Sequence, residues 1–298
     1  MDMDQISAFV AISRLKSFSR AADALHRSQP AISRRIDLLN QELGAPLFER
    51  VKGGIALSDA GTTLLPYAEA ALAAASDGVA AVRALQKAET GHLSIALVGT
   101  LANEAFTAML RRFRRRHPGV EIGLQTATSQ EVSDLVRRGE ATLGLRYLAD
   151  SGSGLVSQTV TRENLVVVAS AAHPLAKRRT LRANELAGQK WVAFRTGTPR
   201  ESFIRFLNRT LAAAGLDEPE VVAIDSLTAQ KRLVEANFGI ALLAESGVAD
   251  ELRRGTLRKL KVPAALRTSI PVTVIHRRGA YLSPAARAFL SVLSGRPQ

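Results

Sequence analysis

Apolar positions recur at helical spacing through the first 86 residues or so and then give way to short continuous runs. Ile6, Phe9 and Val10 form one helix face, and "SFSRAADALH" starts a second helix behind Ser17 or Ser19. Ile32, Ile36 and Leu39 mark the buried stripe of a third. Ser28 stands where that helix needs an N-cap, and Pro30 is tolerated in its first turn, where an amide would lack a partner. "PLFERVKGGIALS" then sets two short apolar runs around Gly53-Gly54, a hairpin signal. Residues 1–57 thus predict a small helical unit ending in a hairpin.

Residues 58–87 predict one long helix with Ser58 as its cap. Leu65, Leu72 and Val79 fall seven apart, as do Ala68, Ala75 and Val82, which makes about three heptads. Such a stripe suits a helix lying on its own domain or one pairing with a second chain. A seam on a helix that bridges two domains favours pairing. From residue 91 strands and helices alternate. Strands are predicted at 93–98, 120–125, 142–147, 165–170, 191–194, 220–224, 239–243 and 271–276, with helices at 103–116 and 129–139 and in "SPAARAFLSVLS". This predicts parallel α/β sheets with right-handed crossovers, in two similar lobes.

The chain's 298 residues suit two or three domains. A net charge of +13 invites a nucleic-acid reading, yet its distribution weakens the inference. Residues 1–57 hold 8 Lys/Arg and 6 Asp/Glu, whereas residues 88–298 hold 30 and 18. Local pattern has to carry the case. Burying Ile32 and Ile36 leaves Gln29, Ser33, Arg34 and Arg35 outward on the second of two helices joined by a tight turn. Major-groove base edges require donors on a rigid rod, and Arg to guanine or Gln to adenine supplies them. Arg50 and Lys52 flank the hairpin, where phosphate or minor-groove contact is natural. Taken alone, these residues are better explained as a solvated helix face.

"SFSRAADALHRSQPAISRRIDLLNQELGAPLFERVKGGIALSDAG" resembles the winged helix-turn-helix of the LysR-type transcriptional regulators. The Ala21-Ala22, Leu25, Ser28-Gln29-Pro30-Ala31, Ser33-Arg34, Leu47-Phe48-Arg50 and Gly61 positions carry the likeness, which continues through "LVVVASAAHPLA", "FGIALLA" and "LSPAARAFL". The resemblance implies a DNA-binding domain over 1–57, a linker helix over 58–87 and an effector domain of the type II periplasmic-binding-protein fold over 88–298. Lobe I of that domain would hold 91–161 and 267–298, and lobe II 162–266. It implies that Gln29, Pro30, Ser33 and Arg34 contact an operator and that Arg50 and Lys52 belong to the wing. It also implies linker helices that pair antiparallel into dimers and then tetramers. Thr142 stands where the family usually carries an acidic residue, and Ala244 where a proline is usual.

Ligands of open α/β sheets bind beyond the carboxyl ends of the strands. Those ends here supply Thr100, Thr126, Thr128, Ser129, Arg146, Thr196, Gly197, Thr198, Ser202 and Ser226. Each hydroxyl alone is as well explained as a helix cap; as a set they outline a cleft for a small anionic effector. Arg111, Arg112, Arg114, Arg115 and Arg116 cluster on the predicted 103–116 helix, either as a solvated face or as a second docking patch.

Nothing in the sequence calls for catalysis, a metal or a cofactor. Cysteine is absent, the five histidines are scattered, and no nucleophile elbow or phosphate-binding loop occurs. No apolar run reaches the ~20 residues of a membrane span, and the acidic start lacks a signal-peptide layout, so a cytoplasmic location is expected. A solute-binding protein or an architectural DNA-binding protein would leave one half of the chain unused. The expectation is an effector-responsive regulator on an interrupted palindromic DNA operator, touching RNA polymerase and no membrane.

Overall fold

In the computed structural model the described residues are 1–52, 54–86, 91–150, 152, 154–194, 203–216 and 219–295. They divide into two compact units, the first built on Met1–Gln86 and the second on most of the remainder.

The first unit opens with helices α1 (Met3–Leu15), α2 (Phe18–Ala24) and α3 (Gln29–Leu43). Asp2 and Gln5 cap α1 reciprocally, each side chain accepting the other's backbone N–H at 2.7 Å. Ser17 caps α2, its hydroxyl accepting from Arg20 N. Gly44 ends α3 with φ at +68°, a left-handed turn that glycine adopts at no steric cost. Strands β1 (Phe48–Val51) and β2 (Gly54–Leu57) pair antiparallel, placing Lys52 at the hairpin tip. Phe48 anchors this wing on the helices, its ring 5.4 Å from Phe9 and 5.9 Å from Phe18. The core beneath it holds Phe9, Ile12, Ile32, Ile36 and Leu39, each nearly or fully buried. Burying one such side chain contributes roughly 1.5–3 kcal/mol.

Helix α4 (Asp59–Gln86) begins behind Ser58, whose hydroxyl accepts from Gly61 N at 3.0 Å. A Cβ on Gly61 would stand 2.1 Å from the Leu47 carbonyl oxygen, so only glycine lets α4 approach the wing. The expected seam splits in two. Ala68 is buried in the first unit's own core, and Leu65 and Leu72 are half-buried against it. Ala75, Val79 and Val82 are exposed, Val79 by 51% and Val82 by 58%. The reason is length: only the first half of α4 overlies the three-helix unit.

The second unit contains β3 (Gly91–Val98), α5 (Glu104–Arg116), β4 (Val120–Ala127), α6 (Ser129–Arg137), β5 (Leu143–Tyr147) and β6 (Leu155–Ser170). There follow α7 (Ala183–Ala187), β7 (Trp191–Phe194), α8 (Phe203–Ala212), β8 (Val221–Ile224), α9 (Leu227–Glu235) and β9 (Ala241–Ala244). It ends with α10 (Ala249–Arg254), β10 (Leu257–Lys259), β11 (Thr268–Arg277) and α11 (Pro284–Leu293). β3 pairs parallel with β4 and β5 through helical crossovers, and β7 with β8. The sheet is nevertheless mixed, against the all-parallel expectation. β11 runs antiparallel to both β5 and β6, and β9 and β10 are antiparallel to β6. At 16 residues β6 is far longer than the predicted 165–170 run. Its first half, like β10, is too polar to read as a strand from sequence.

β6 and β11 run from one lobe into the other. Their register shifts by one residue between Val272 and Thr273, leaving Val160 as a bulge where they cross. In the second lobe Leu165, Val167 and Ala169 face one core while Val166 and Val168 face another. Period-two alternation thus fills both faces of a sheet covered on both sides. Thr142 N donates to Ser94 O at 2.9 Å. Ala244 has φ −61°, the value a proline ring would impose, so the turn keeps its geometry without one.

Candidate DNA-reading face and effector cleft

On α3 the buried stripe of Ile32, Ile36 and Leu39 turns Pro30, Arg34 and Leu38 outward, with Gln29 exposed at the start of the helix. Arg34 has no hydrogen bond or ion pair among the described residues. Ser28 occupies the N-cap in an extended conformation, yet its hydroxyl makes no capping bond. That hydroxyl and the first-turn amides therefore face solvent, as a phosphate contact requires. Ser33 is half-buried, and Arg50 and Lys52 on the wing are exposed.

Arg35 departs from the expectation. It is half-buried and holds Asp4 of α1 in an ion pair at 2.6 Å, because its position faces the neighbouring helix. Leu38 was missed. It is 45% exposed, one turn beyond Arg34, and its signal was a leucine lying off the Ile32–Ile36–Leu39 stripe. An apolar group on a groove-facing stripe can pack against a thymine methyl.

In the second unit a cleft of about 540 Å³ is lined from both lobes, a metabolite-sized volume. Thr100, Thr126, Thr128 and Ser129 line it as expected. Its body is apolar and aromatic, with Tyr147, Leu148, Phe194, Phe203 and Phe206 among the walls. Thr100 donates from its hydroxyl to the Tyr147 OH at 2.9 Å, and Tyr147 donates to Glu163 at 2.9 Å. Burial, together with the Glu163 charge, pushes the Tyr147 hydroxyl well above its ordinary range, so it stays a neutral donor. Glu163 also accepts from Asn103 at 3.0 Å and Ser246 at 2.9 Å. Thr128 and Glu131 form a capping box, the Thr128 amide donating to Glu131 at 2.8 Å. That bond lowers the Glu131 carboxyl below the usual carboxylate range.

Arg146 does not line this cleft. It is buried, with 1% of its surface exposed, and its guanidinium donates to Asp150 at 2.7 Å and Ser133 at 2.6 Å. It is a structural ion pair, and the expectation that it holds an effector is corrected. Ser226 is also turned aside, its hydroxyl capping α9 through Ala229 N while Asp225, Leu227 and Thr228 form the wall. Thr196, Gly197, Thr198 and Ser202 lie outside the described residues. Among the described lining residues the charged side chains are Glu131 and Asp225, both acidic. Gln230, fully buried in the wall, donates from Nε2 to Val192 O at 2.8 Å. That bond fixes the amide orientation, and Oε1 is left without a partner.

On α5 the five arginines are exposed while Phe106 and Phe113 pack edge-on against Phe289. Arg114, Arg115 and Arg116 sit in the last turn, where cations favour the helix dipole. No helix among the described residues is long and apolar enough to cross a membrane, and no cluster of potential metal ligands occurs among them.

A three-helix unit with a free arginine on its outward helix, joined to a two-lobed α/β cleft unit, defines a ligand-responsive DNA-binding regulator. Residues 3–62 match the model of the bacterial regulatory helix-turn-helix protein, lysR family, and residues 86–297 match the LysR substrate binding domain. The chain belongs to the LysR family of transcriptional regulators, with a DNA-binding helix-turn-helix and an effector-binding domain; it is not an enzyme. It is 29% identical to the HTH-type transcriptional regulator CfxR of Cupriavidus necator, over 97% of this chain and 91% of that one. A probable RuBisCO transcriptional regulator of Gracilaria tenuistipitata var. liui is 27% identical, over 96% and 94%. Full-length CbnR complexed with its target DNA superposes with a TM-score of 0.67 at 23% identity, covering 98% of this chain and 99% of that one.

Proposed function

We propose that the N-terminal unit reads duplex DNA with the Gln29–Leu38 segment of α3, while Arg50 and Lys52 hold the phosphate backbone beside it. The observation that carries this reading is Arg34, exposed and unpartnered on the outward stripe. That CbnR has been solved on its target DNA with the same fold supports it. Two chains pair through the exposed half of α4 at Ala75, Val79 and Val82 and associate further into tetramers. Two reading heads then meet successive major grooves of an interrupted palindrome. A small effector entering the inter-lobe cleft changes the lobe angle, and with it the spacing of the heads, the bend of the operator and contact with RNA polymerase.

Removal of Arg146 from the cleft alters the effector class. The described walls offer aromatic surface, hydroxyls, two carboxylates and the orphan Gln230 Oε1, which favours an apolar-bodied ligand bearing hydrogen-bond donors over a carboxylate. Capture of genomic fragments on the purified chain, followed by footprinting with Arg34→Ala in parallel, tests the DNA reading; unaltered footprints in the variant refute base readout by Arg34. Isothermal titration with benzylamine and benzoate tests the cleft. Heat from benzylamine, reduced in Thr126→Trp, supports the donor-bearing class, and heat from benzoate alone restores the anionic one.

A further inference from the structure

A second cavity lies on the effector unit and shares only Leu165 with the described lining of the inter-lobe cleft. It measures about 600 Å³ and is walled by residues 164–167 of β6, by Thr268 and Ser269 of β11, and by the segment joining β10 to β11. Its floor is apolar, with Leu260 and Leu266 nearly buried, and its rim carries Lys259, Lys261 and Arg267. The segment 252–268 holds six Lys/Arg and no carboxylate. Three of the six are neutralised from outside the segment: Arg253 by Asp250, Arg254 by Glu251 and Lys259 by Glu245 at 2.7 Å. Lys261 and Arg267 have no ion pair among the described residues. Beside them Arg162, on the crossover strand, donates to the Ser269 side chain at 2.8 Å and to its carbonyl at 3.0 Å.

We propose that this groove binds a small multiply charged anion of the phosphate class, distinct from the ligand of the inter-lobe cleft. Among the described residues the two cavities differ in charge. The charged residues described in the cleft walls are Glu131 and Asp225, both acidic, whereas the groove's single carboxylate, Glu245, is already taken by Lys259. An anion in the groove gains attraction from two unneutralised cations, whereas the described walls of the cleft offer it two carboxylates. The groove differs from the α5 arginines in its walls, which come from three separate segments around an apolar floor, whereas the arginines line one side of a single helix. A ligand here touches both strands that run between the lobes, next to the Arg162–Ser269 contact, so its binding stiffens the crossover.

The test is calorimetric titration of the full chain with inorganic pyrophosphate at low salt, with wild type, Lys261→Gln/Arg267→Gln, Arg114→Gln/Arg115→Gln and Thr126→Trp side by side. The proposal expects saturable binding in wild type, a loss of affinity of at least tenfold in the Lys261/Arg267 pair, and less than twofold change in the other two. Thermal unfolding with and without pyrophosphate gives a second reading, in which wild type gains in midpoint and the Lys261/Arg267 variant does not. Absence of saturable binding overturns the proposal. So does binding that survives the Lys261/Arg267 change, or that disappears with the α5 arginines or with the blocked cleft.

Discussion

Helix α3 and the inter-lobe cleft each took their leading sequence expectation from an arginine, and the two arginines lie in opposite environments. Arg34 stands exposed on α3, clear of every described partner. Arg146 is buried, its charge held by Asp150 and Ser133. The same residue type is thus left open to solvent in one place and built into the framework in the other. What separates them is burial beside a carboxylate, which Arg146 has in Asp150 and Arg34 lacks among the described residues. A free arginine contributes to the complex it will form. A buried, paired one contributes to the monomer's own integrity, because removing either partner leaves an uncompensated charge.

Four substitutions sharpen or break this contrast. Arg146→Ala should cost about 3–5 kcal/mol of stability, since the buried Asp150 carboxylate loses the guanidinium that faces it. Urea unfolding measures it, and a loss below about 1 kcal/mol would return Arg146 to the list of ligand-facing groups. Arg34→Ala should leave that unfolding curve in place and weaken the specific operator by about 1–3 kcal/mol while relaxing base choice at one position. Competition binding against scrambled duplex reads both effects. Leu38→Ala should produce a smaller loss, about 1 kcal/mol or less, confined to sites that place a thymine opposite it, because a methyl contact is weaker than a bidentate hydrogen bond. Replacing thymine by uracil in the duplex should reproduce the loss in wild type and add nothing in the variant. Lys52→Ala should weaken all duplexes evenly and reduce the salt slope of log K by about one. A sequence-dependent effect would move the wing from backbone to base contact.

The linker helix shows a similar division along its own length. Its heptads were legible, yet Leu65, Ala68 and Leu72 are spent on the three-helix core, and only Ala75, Val79 and Val82 stay exposed. A sequence repeat records that one face is apolar; it does not record what covers that face. Leu38 makes the converse point. Its place off the buried stripe was readable, but a leucine draws attention to cores, and exposure on the reading face changes its meaning.

In the effector unit the strands carrying continuous apolar runs were visible at once, among them Leu93–Val98 and Leu165–Ala169. The direction of pairing was not, because β6 and β11 find each other across about a hundred residues through backbone bonds that any side chain permits. The cleft hydroxyls were legible as strand-end residues, and four of them do line one cavity. Their companions Phe203, Phe206 and Gln230 were not, since nothing local distinguishes a helix residue facing a cleft from one facing a core.

Hydrophobic spacing and capping chemistry were enough, without coordinates, to establish the three helices, the wing, the long linker and the buried stripe of α3. These depend on neighbours within a few turns, and such interactions are written in the local order of residues. Three-dimensional packing alone settled that Arg146 is buried against Ser133, that Arg35 meets Asp4, that half the linker is consumed by its own domain, and that a second cavity rimmed by Lys261 and Arg267 lies on the effector unit. Each of those outcomes turns on which distant groups the folded chain brings within a few ångströms. Coulomb and hydrogen-bond energies at that range exceed any preference a residue carries by itself.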